Sequence, residues 1–114
     1  MMRFPFPNPR LSPNKRIDRR QLIADRQDAK EIGYWITKDA KLCLKPKQLQ
    51  LRMVICPPDK RRRDDDNIYS SFKPYRDGIF QALELDDKLV RRTIIEWGEV
   101  ISGGELLVEI TEVS

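Results

Sequence analysis

No histidine occurs anywhere in the 114 residues. That absence removes Ser-His-Asp and Cys-His nucleophilic machinery, histidine general bases and imidazole metal sites together. Any catalysis must therefore rest on carboxylates, lysine or a metal. Cys43 and Cys56, the two cysteines, have no CxxC spacing and stand among apolar neighbours, which reads as two buried thiols and argues against a disulfide or a zinc site. Long apolar runs are missing too: none approaches the roughly 18 residues of a membrane-spanning helix, and Met1-Met2-Arg3-Phe4-Pro5 lacks the stretch of a secretory signal. The expectation is a cytoplasmic protein with no membrane partner and no organic cofactor.

With 39% apolar residues the chain can build one modest core, and at this length it reads as a single domain, 1–114. Twenty-two Lys and Arg against 18 Asp and Glu leave a net charge of +4, which favours an anionic partner without demanding one. The clustering of charge matters more than its sum.

Four prolines between residues 3 and 16 permit at most an edge strand followed by an irregular segment with basic ends. Asp18 with Gln21 resembles a capping box, and Leu22, Ala29, Ile32, Ile36 and Ala40 recur at helical spacings, predicting a helix over about 18–38. After Lys45-Pro46, apolar Leu49, Leu51, Met53 and Ile55 alternate with Gln50, Arg52 and Val54, the period-2 pattern of a strand that stops at Pro57-Pro58. Ile68, Phe72, Tyr75, Ile79 and Leu83 mark one buried face of a second helix. Pro74 should kink that helix or mark where it begins in earnest, and Gly78 should weaken it. Segments 92–100 and 105–112 are β-rich, and Ser102-Gly103-Gly104 between them reads as a hairpin turn. The sum is an α+β domain: a small mixed or antiparallel sheet with two helices, ordered β-α-β-α-β-β.

The densest charge block, Asp59-Lys60-Arg61-Arg62-Arg63-Asp64-Asp65-Asp66-Asn67, lies between the strand and the second helix. Two carboxylates about 4 Å apart repel by about 4 kcal/mol at an effective dielectric near 20, so a run of three requires compensation. In an extended segment residues i and i+2 point the same way, so Asp64 and Asp66 can converge while Asp65 points elsewhere. Such oxygens, joined by a third carboxylate, suit Mg²⁺. The plain alternative is that Asp66 or Asn67 caps the helix and the basic run is a solvated face. An EF-hand is excluded, because Tyr69 and Tyr75 stand where that loop needs Gly and Glu. Adjacency favours chemistry: cations attract a phosphodiester backbone, carboxylates repel it unless a metal bridges them, and a purely binding surface gains nothing from the acidic insertion.

These residues resemble the RusA-type Holliday junction resolvases. The resemblance spans nearly the whole chain: a Pro-rich start with Asn14, a helix, a strand, the motif Arg62-Arg63-Asp64-Asp65-Asp66-Asn67, a Lys-Pro helix at Lys73-Pro74, the pair Asp86-Asp87, and a C-terminal hairpin. It implies catalytic, metal-holding acids at Asp64, Asp66 and Asp87, a tuning or orienting role for Asp86, and a functional lysine at Lys73. The family usually places that lysine four residues after the second motif aspartate, and here the spacing is seven. Offsets of 4 and 7 fall at about +40° and −20° on a helix, which keeps the face and shifts the lysine about 4.5 Å along the axis. Ser70 occupies the family's lysine offset, and Lys73 also fits a solvent-facing residue paired with Asp77.

The resemblance further implies Mg²⁺-dependent phosphodiester hydrolysis, with Mn²⁺ a possible substitute, on four-way DNA junctions in bacterial or phage recombination and repair. Lys60, Arg61, Arg62 and Arg63 would track phosphates, with Asn14, Lys15 and Arg16 as a second contact set. Two symmetric nicks from one acidic cluster per chain call for a C₂ homodimer. Tyr34, Trp35 and Trp97 can stack on unpaired bases, although aromatics beside Ile32, Ile36 and Ile95 are more often core or dimer interface. Two rivals remain at this level: a junction or single-strand DNA-binding protein without nuclease activity, and a Mg²⁺-dependent nuclease acting on flaps or nucleotides.

Overall fold

The computed structural model describes residues 1–12 and 17–113. In chain order its elements are β1 (Met2–Pro5), a 3₁₀ turn at Pro9–Leu11, α1 (Arg19–Ala40), β2 (Leu49–Cys56), α2 (Asp65–Leu83), a second 3₁₀ turn at Asp87–Leu89, β3 (Val90–Trp97) and β4 (Glu105–Glu112). This is an α+β fold with a four-stranded mixed sheet in the order β1-β4-β2-β3.

The alternation in β2 sends Leu49, Leu51, Met53 and Ile55 into the core, all at zero exposure. They meet Leu106 and Val108 of β4, Phe4 of β1, and Phe72, Tyr75 and Ile79 of α2 in one apolar cluster. Phe4 packs on the Tyr75 ring at 5.1 Å, and the Tyr75 hydroxyl donates to the Pro5 carbonyl at 3.0 Å, so α2 fixes the path of the N-terminal segment. Burial pushes the Tyr75 hydroxyl pKa up, which keeps it a donor.

The expected hairpin does not form. β3 pairs in parallel with β2, while β4 pairs antiparallel with the other side of β2 and with β1. A β3–β4 hairpin would leave β2, whose core face is fully buried, without strands on both sides. Instead β2-α2-β3 is a parallel crossover unit, and the connection after β3 runs across the end of β2, with Gly98 N–H donating to Ile55 at 2.8 Å and Ile101 N–H to Pro57 at 2.9 Å. Gly103 (φ 81°) and Gly104 (φ 70°) make its turn in the left-handed region.

Pro74 neither starts nor interrupts α2, which runs unbroken from Asp65. Its interior proline costs about 3 kcal/mol, and burying Ile68, Phe72, Tyr75 and Ile79 on one face outweighs that. In α1, Asp18 is the N-cap, accepting from Arg20 N at 3.2 Å, but Gln21 does not close a capping box; its Nε2 donates to Asp25 at 2.9 Å. The buried stripe is Asp25, Ala29, Gly33 and Thr37, and Ile32 lies at the exposed margin. Asp25 is a buried carboxylate held by Arg10, Nε to Oδ2 at 2.9 Å. Cys56 is buried, its thiol pKa raised by desolvation; Cys43, contrary to expectation, is exposed. Among the described residues, no helix is long and apolar enough to cross a membrane.

Gly33 and Gly78 set the distance between the helices. A Cβ at Gly78 would run into the Lys30 carbonyl and one at Gly33 into the Tyr75 carbonyl, backbone on both sides. Gly78→Ala therefore gains about 1 kcal/mol of helix propensity and loses more to overpacking against backbone that cannot yield. A net destabilisation of about 2 kcal/mol is expected from urea unfolding monitored by circular dichroism; an unchanged midpoint would contradict the close approach.

Candidate metal and nucleic-acid site

The loop 57–64 leaves the end of β2 at Pro57-Pro58 and delivers the acidic run to the start of α2. Asp64 is the N-cap, extended at φ −91° and ψ 123°, and its Oδ1 accepts the Asp66 N–H at 2.9 Å. Asp65 and Asp66 fill the first helical turn, where the positive end of the helix dipole offsets their repulsion. Capping therefore falls on Asp64 rather than on Asp66 or Asn67. The carboxylates converge because a helix begins there, not because the segment is extended, so Asp65 does not point elsewhere. One oxygen from each of Asp64, Asp65 and Asp66 lies within 4.8 Å of the others.

The basic residues divide into two groups. Arg63 is engaged inside the loop: it pairs with Asp59 at 2.9 Å, donates to the carbonyls of Asp59 and Arg61 at 3.2 and 3.0 Å, and lies over the Phe6 ring at 5.8 Å. Its side chain is 17% exposed, too enclosed to follow a phosphate backbone. Lys60 and Arg62 face solvent, and Arg61 remains exposed despite its contact with Asp59. Asp59 is the organising anion; the Arg61 backbone N–H, then the Arg63 and Arg61 side chains, hold its carboxyl below its usual pKa. Beside the loop an open cleft of about 620 Å³ is lined by Phe6, Asn8, Arg62, Asp64 and Asn67, among others. A second groove joins Arg62, Arg63, Asp64 and Asp65 to Trp97.

One chain does not bring Asp87 to this cluster. α2 separates them, and its 19 residues extend about 27 Å at 1.5 Å per residue. β3 begins opposite Leu49, at the start of β2, whereas the acidic run follows the end of β2. Asp87 is held there by Arg76, Nη1 to Oδ2 at 3.2 Å and Nη2 to its carbonyl at 3.3 Å, and Asp86 caps the 3₁₀ turn by accepting from Lys88 N at 2.9 Å. Lys73 is exposed and lines a groove between α1 and α2 with Arg26, Lys30, Ser70 and Asp77. It shares neither cleft with Asp64, and among the described residues it forms no ion pair with Asp77. Asn14, Lys15 and Arg16 lie outside the described residues.

Asp65, Asp59 and Arg76 enter the site or its support without having been singled out for it, whereas Trp97, named as a base-stacking candidate, lies beside it. Asp59 carried no local signal, because it meets Arg63 within a loop where the helical i,i+4 rule does not apply. Arg76 acts through the fold and carries no local motif. Trp97 is 47% and Trp35 66% exposed, so neither is core.

No family model matches the chain. It is 34% identical, over 116 aligned positions, to a protein of Xylella fastidiosa (strain Temecula1 / ATCC 700964) described as "Uncharacterized protein", the alignment covering 97% of this chain and 75% of that protein.

Because Asn caps a helix about as well as Asp, Asp64→Asn should leave stability nearly unchanged, while Asp64→Ala should cost about 1 kcal/mol in denaturant unfolding. Equal losses would show that the cap is not what holds the turn. A depressed carboxylate pKa contributes stability that is present above the unfolded value and lost as pH falls through the folded one. The Asp59 carboxyl should accordingly titrate below about 3.9 by NMR, with the Arg63 guanidinium signals losing dispersion over the same window.

Proposed function

We propose, for a chain that belongs to the same family as that Xylella fastidiosa protein, the activity of a Mg²⁺-dependent, structure-selective DNA endonuclease that nicks four-way junctions as a homodimer in the cytoplasm. The observation that carries this reading is the gathering of the Asp64, Asp65 and Asp66 carboxylates within 4.8 Å on a surface flanked by the exposed cations Lys60 and Arg62. On an octahedral Mg²⁺ at about 2.1 Å, adjacent oxygens stand about 3.0 Å apart and opposite ones about 4.2 Å, so the cluster would have to close by up to about 2 Å around an ion. The donor set is all hard oxygen on a face that leaves room for water, which suits Mg²⁺, with Mn²⁺ as substitute.

Asp64 and Asp66 would hold the ion, with Asp65 beside them, and Arg61 and Arg62 would draw the phosphodiester backbone to the cleft. When bound, Mg²⁺ supplies an activated water and polarises the scissile phosphate. The Asp59–Arg63–Phe6 contacts keep the loop from yielding as DNA is drawn in. Lys73, on the α1–α2 groove, would neutralise charge on DNA passing over α2. Two nicks in strands related by a two-fold axis match one cluster per chain in a C₂ pair.

A second reading, a junction-binding protein that does not cut, is favoured by one observation: Asp64 already serves as a cap and Asp87 is held by Arg76 at the other end of the helix. Labelled four-way junction, flap and linear duplex incubated with Mg²⁺ separate the readings. Paired symmetric nicks confined to the junction, reduced about 100-fold or more in Asp66→Asn and Asp87→Asn, are expected. Tight binding without product, surviving Asp64→Asn, would establish the binding module; preference for flaps would move the substrate.

A further inference from the structure

The cleft beside the arginine loop has two unlike sides. Exposed Arg61, Arg62 and Asp64 stand at its mouth, buried Ile68 and Ser71 of α2 lie at its floor, and Phe6, Pro7, Pro9 and Pro58 line much of the rest with ring carbon. A proline carries no N–H, so this wall gives a phosphate no backbone donor at those positions, whereas the mouth gives it two guanidinium groups. A nucleotide drawn to such a cleft leaves its phosphate at the mouth and can send only its base inward.

Three polar side chains line the interior in complementary roles. Ser71 Oγ donates to the Asn67 carbonyl at 3.0 Å and so has only lone pairs left to offer. Asn8 Oδ1 accepts the Arg10 N–H at 3.0 Å, which leaves its Nδ2 to donate. The Asn67 side-chain amide has no partner among the described residues and carries both a donor and an acceptor. An acceptor, a donor and one group that is both match the mixed polar edge of a nucleobase. The enclosure is also built in advance. Phe6 lies beneath the Arg63 guanidinium at 5.8 Å and so close to Gly104 that a Cβ there would meet its ring. The Tyr75 hydroxyl holds the Pro5 carbonyl at 3.0 Å, and Arg10, two residues beyond Asn8, is anchored at 2.9 Å on the buried carboxylate of Asp25. Burying that carboxylate fixes a wall whose prolines cannot be tied down through backbone N–H groups.

We propose that this cleft is a slot for one nucleobase taken out of its stack, with Asn8 and Asn67 bonding its polar edge while Arg61 and Arg62 hold the adjoining phosphate, and that the slot selects branched over linear DNA. The slot rests on the DNA reading above and deepens it. A volume of about 620 Å³ falls in the range of sites for one small molecule and admits no duplex. Extruding a base costs stacking and pairing energy, least where a base has already lost a neighbour or a mate. Bases that flank a branch point have lost a stacking neighbour, whereas those inside a linear duplex keep both. Filling the slot therefore costs a linear duplex more than a branch, and discrimination arises without any contact that reads the branch as a shape.

Binding measured in EDTA tests the slot apart from any metal chemistry. The full chain is titrated with dAMP, dCMP, dGMP and dTMP, and with 2-deoxyribose 5-phosphate as the baseless control, and followed by NMR. At least one nucleotide is expected to bind about tenfold or more tightly than the sugar phosphate and to shift the side-chain amide signals of Asn8 and Asn67. Asn67→Ala, which removes the amide without adding bulk, should reduce that preference about fivefold. Sugar phosphate that binds as well as all four nucleotides, no binding by any nucleotide, or shifts that leave both asparagines unmoved overturns the slot. A four-way junction labelled with 2-aminopurine beside the branch, also in EDTA, tests the selection: fluorescence should rise on binding as the base leaves its stack, and should stay level when the label lies within an arm. Asn67→Phe, which fills the slot, should still bind the junction through Arg61 and Arg62 and lose the rise. No rise with the wild type, or one that persists in Asn67→Phe, overturns the slot as the destination of the base. Base capture with no product in Mg²⁺ supports the slot and counts against the nuclease reading alone.

Discussion

Complete burial of one face of β2 is the constraint from which the rest of the architecture follows. A strand with four large side chains at zero exposure needs a helix layer over that face and hydrogen-bonded neighbours on both edges. The chain supplies β3 on one side through the α2 crossover and β4 on the other through the 98–104 connection. β1 then covers the outer edge of β4, and β3 is left open. Two ends of the sheet become distinct: one carries the arginine loop and the start of α2, the other Asp86 and Asp87. That separation is a consequence of packing, and it decides which acidic residues can meet within one chain.

At the loop end, rigidity comes from a small set of contacts around Arg63. One guanidinium satisfies a carboxylate, two carbonyls and an aromatic face. Its neighbours are thereby left facing outward on a fixed backbone, so Lys60 and Arg62 present charge from an ordered loop, and an anion bound there as proposed would cost less conformational entropy. The helix dipole and three carboxylates then place a negative point within this positive field, a local polarity that a divalent cation would resolve.

Much of the fold was legible in the residues because local and global preferences agree there. The alternation of 49–55 named the buried face of β2, and the 68-72-75-79 spacing named that of α2. What was not legible is non-local. Ser102-Gly103-Gly104 has the composition of a hairpin turn, but strand order is decided by β2's need for two neighbours, which no property of residues 98–104 encodes. Pro74 is tolerated because burial of Phe72, Tyr75 and Ile79 exceeds its local cost. In the site, the convergence of Asp64 and Asp66 was legible and its cause was not: the helix begins two residues earlier than a cap at Asp66 implies, which draws Asp65 in. Asp87 could be recognised as acidic and paired with Asp86, yet its distance from Asp64 depends on α2 running unbroken.

The position of Asp64 at the very first step of α2 ties secondary structure to occupancy of the acidic surface. Its Oδ1 serves a backbone amide, and an ion bound as proposed would compete for electron density on that same group. Loading would thus be felt along the axis of α2, whose other flank touches Lys30 and Tyr34 of α1 through the bare backbone of Gly78. A helix seated so tightly moves as a rod or not at all, so a displacement begun at one tip would arrive at the opposite tip, where Arg76 grips Asp87.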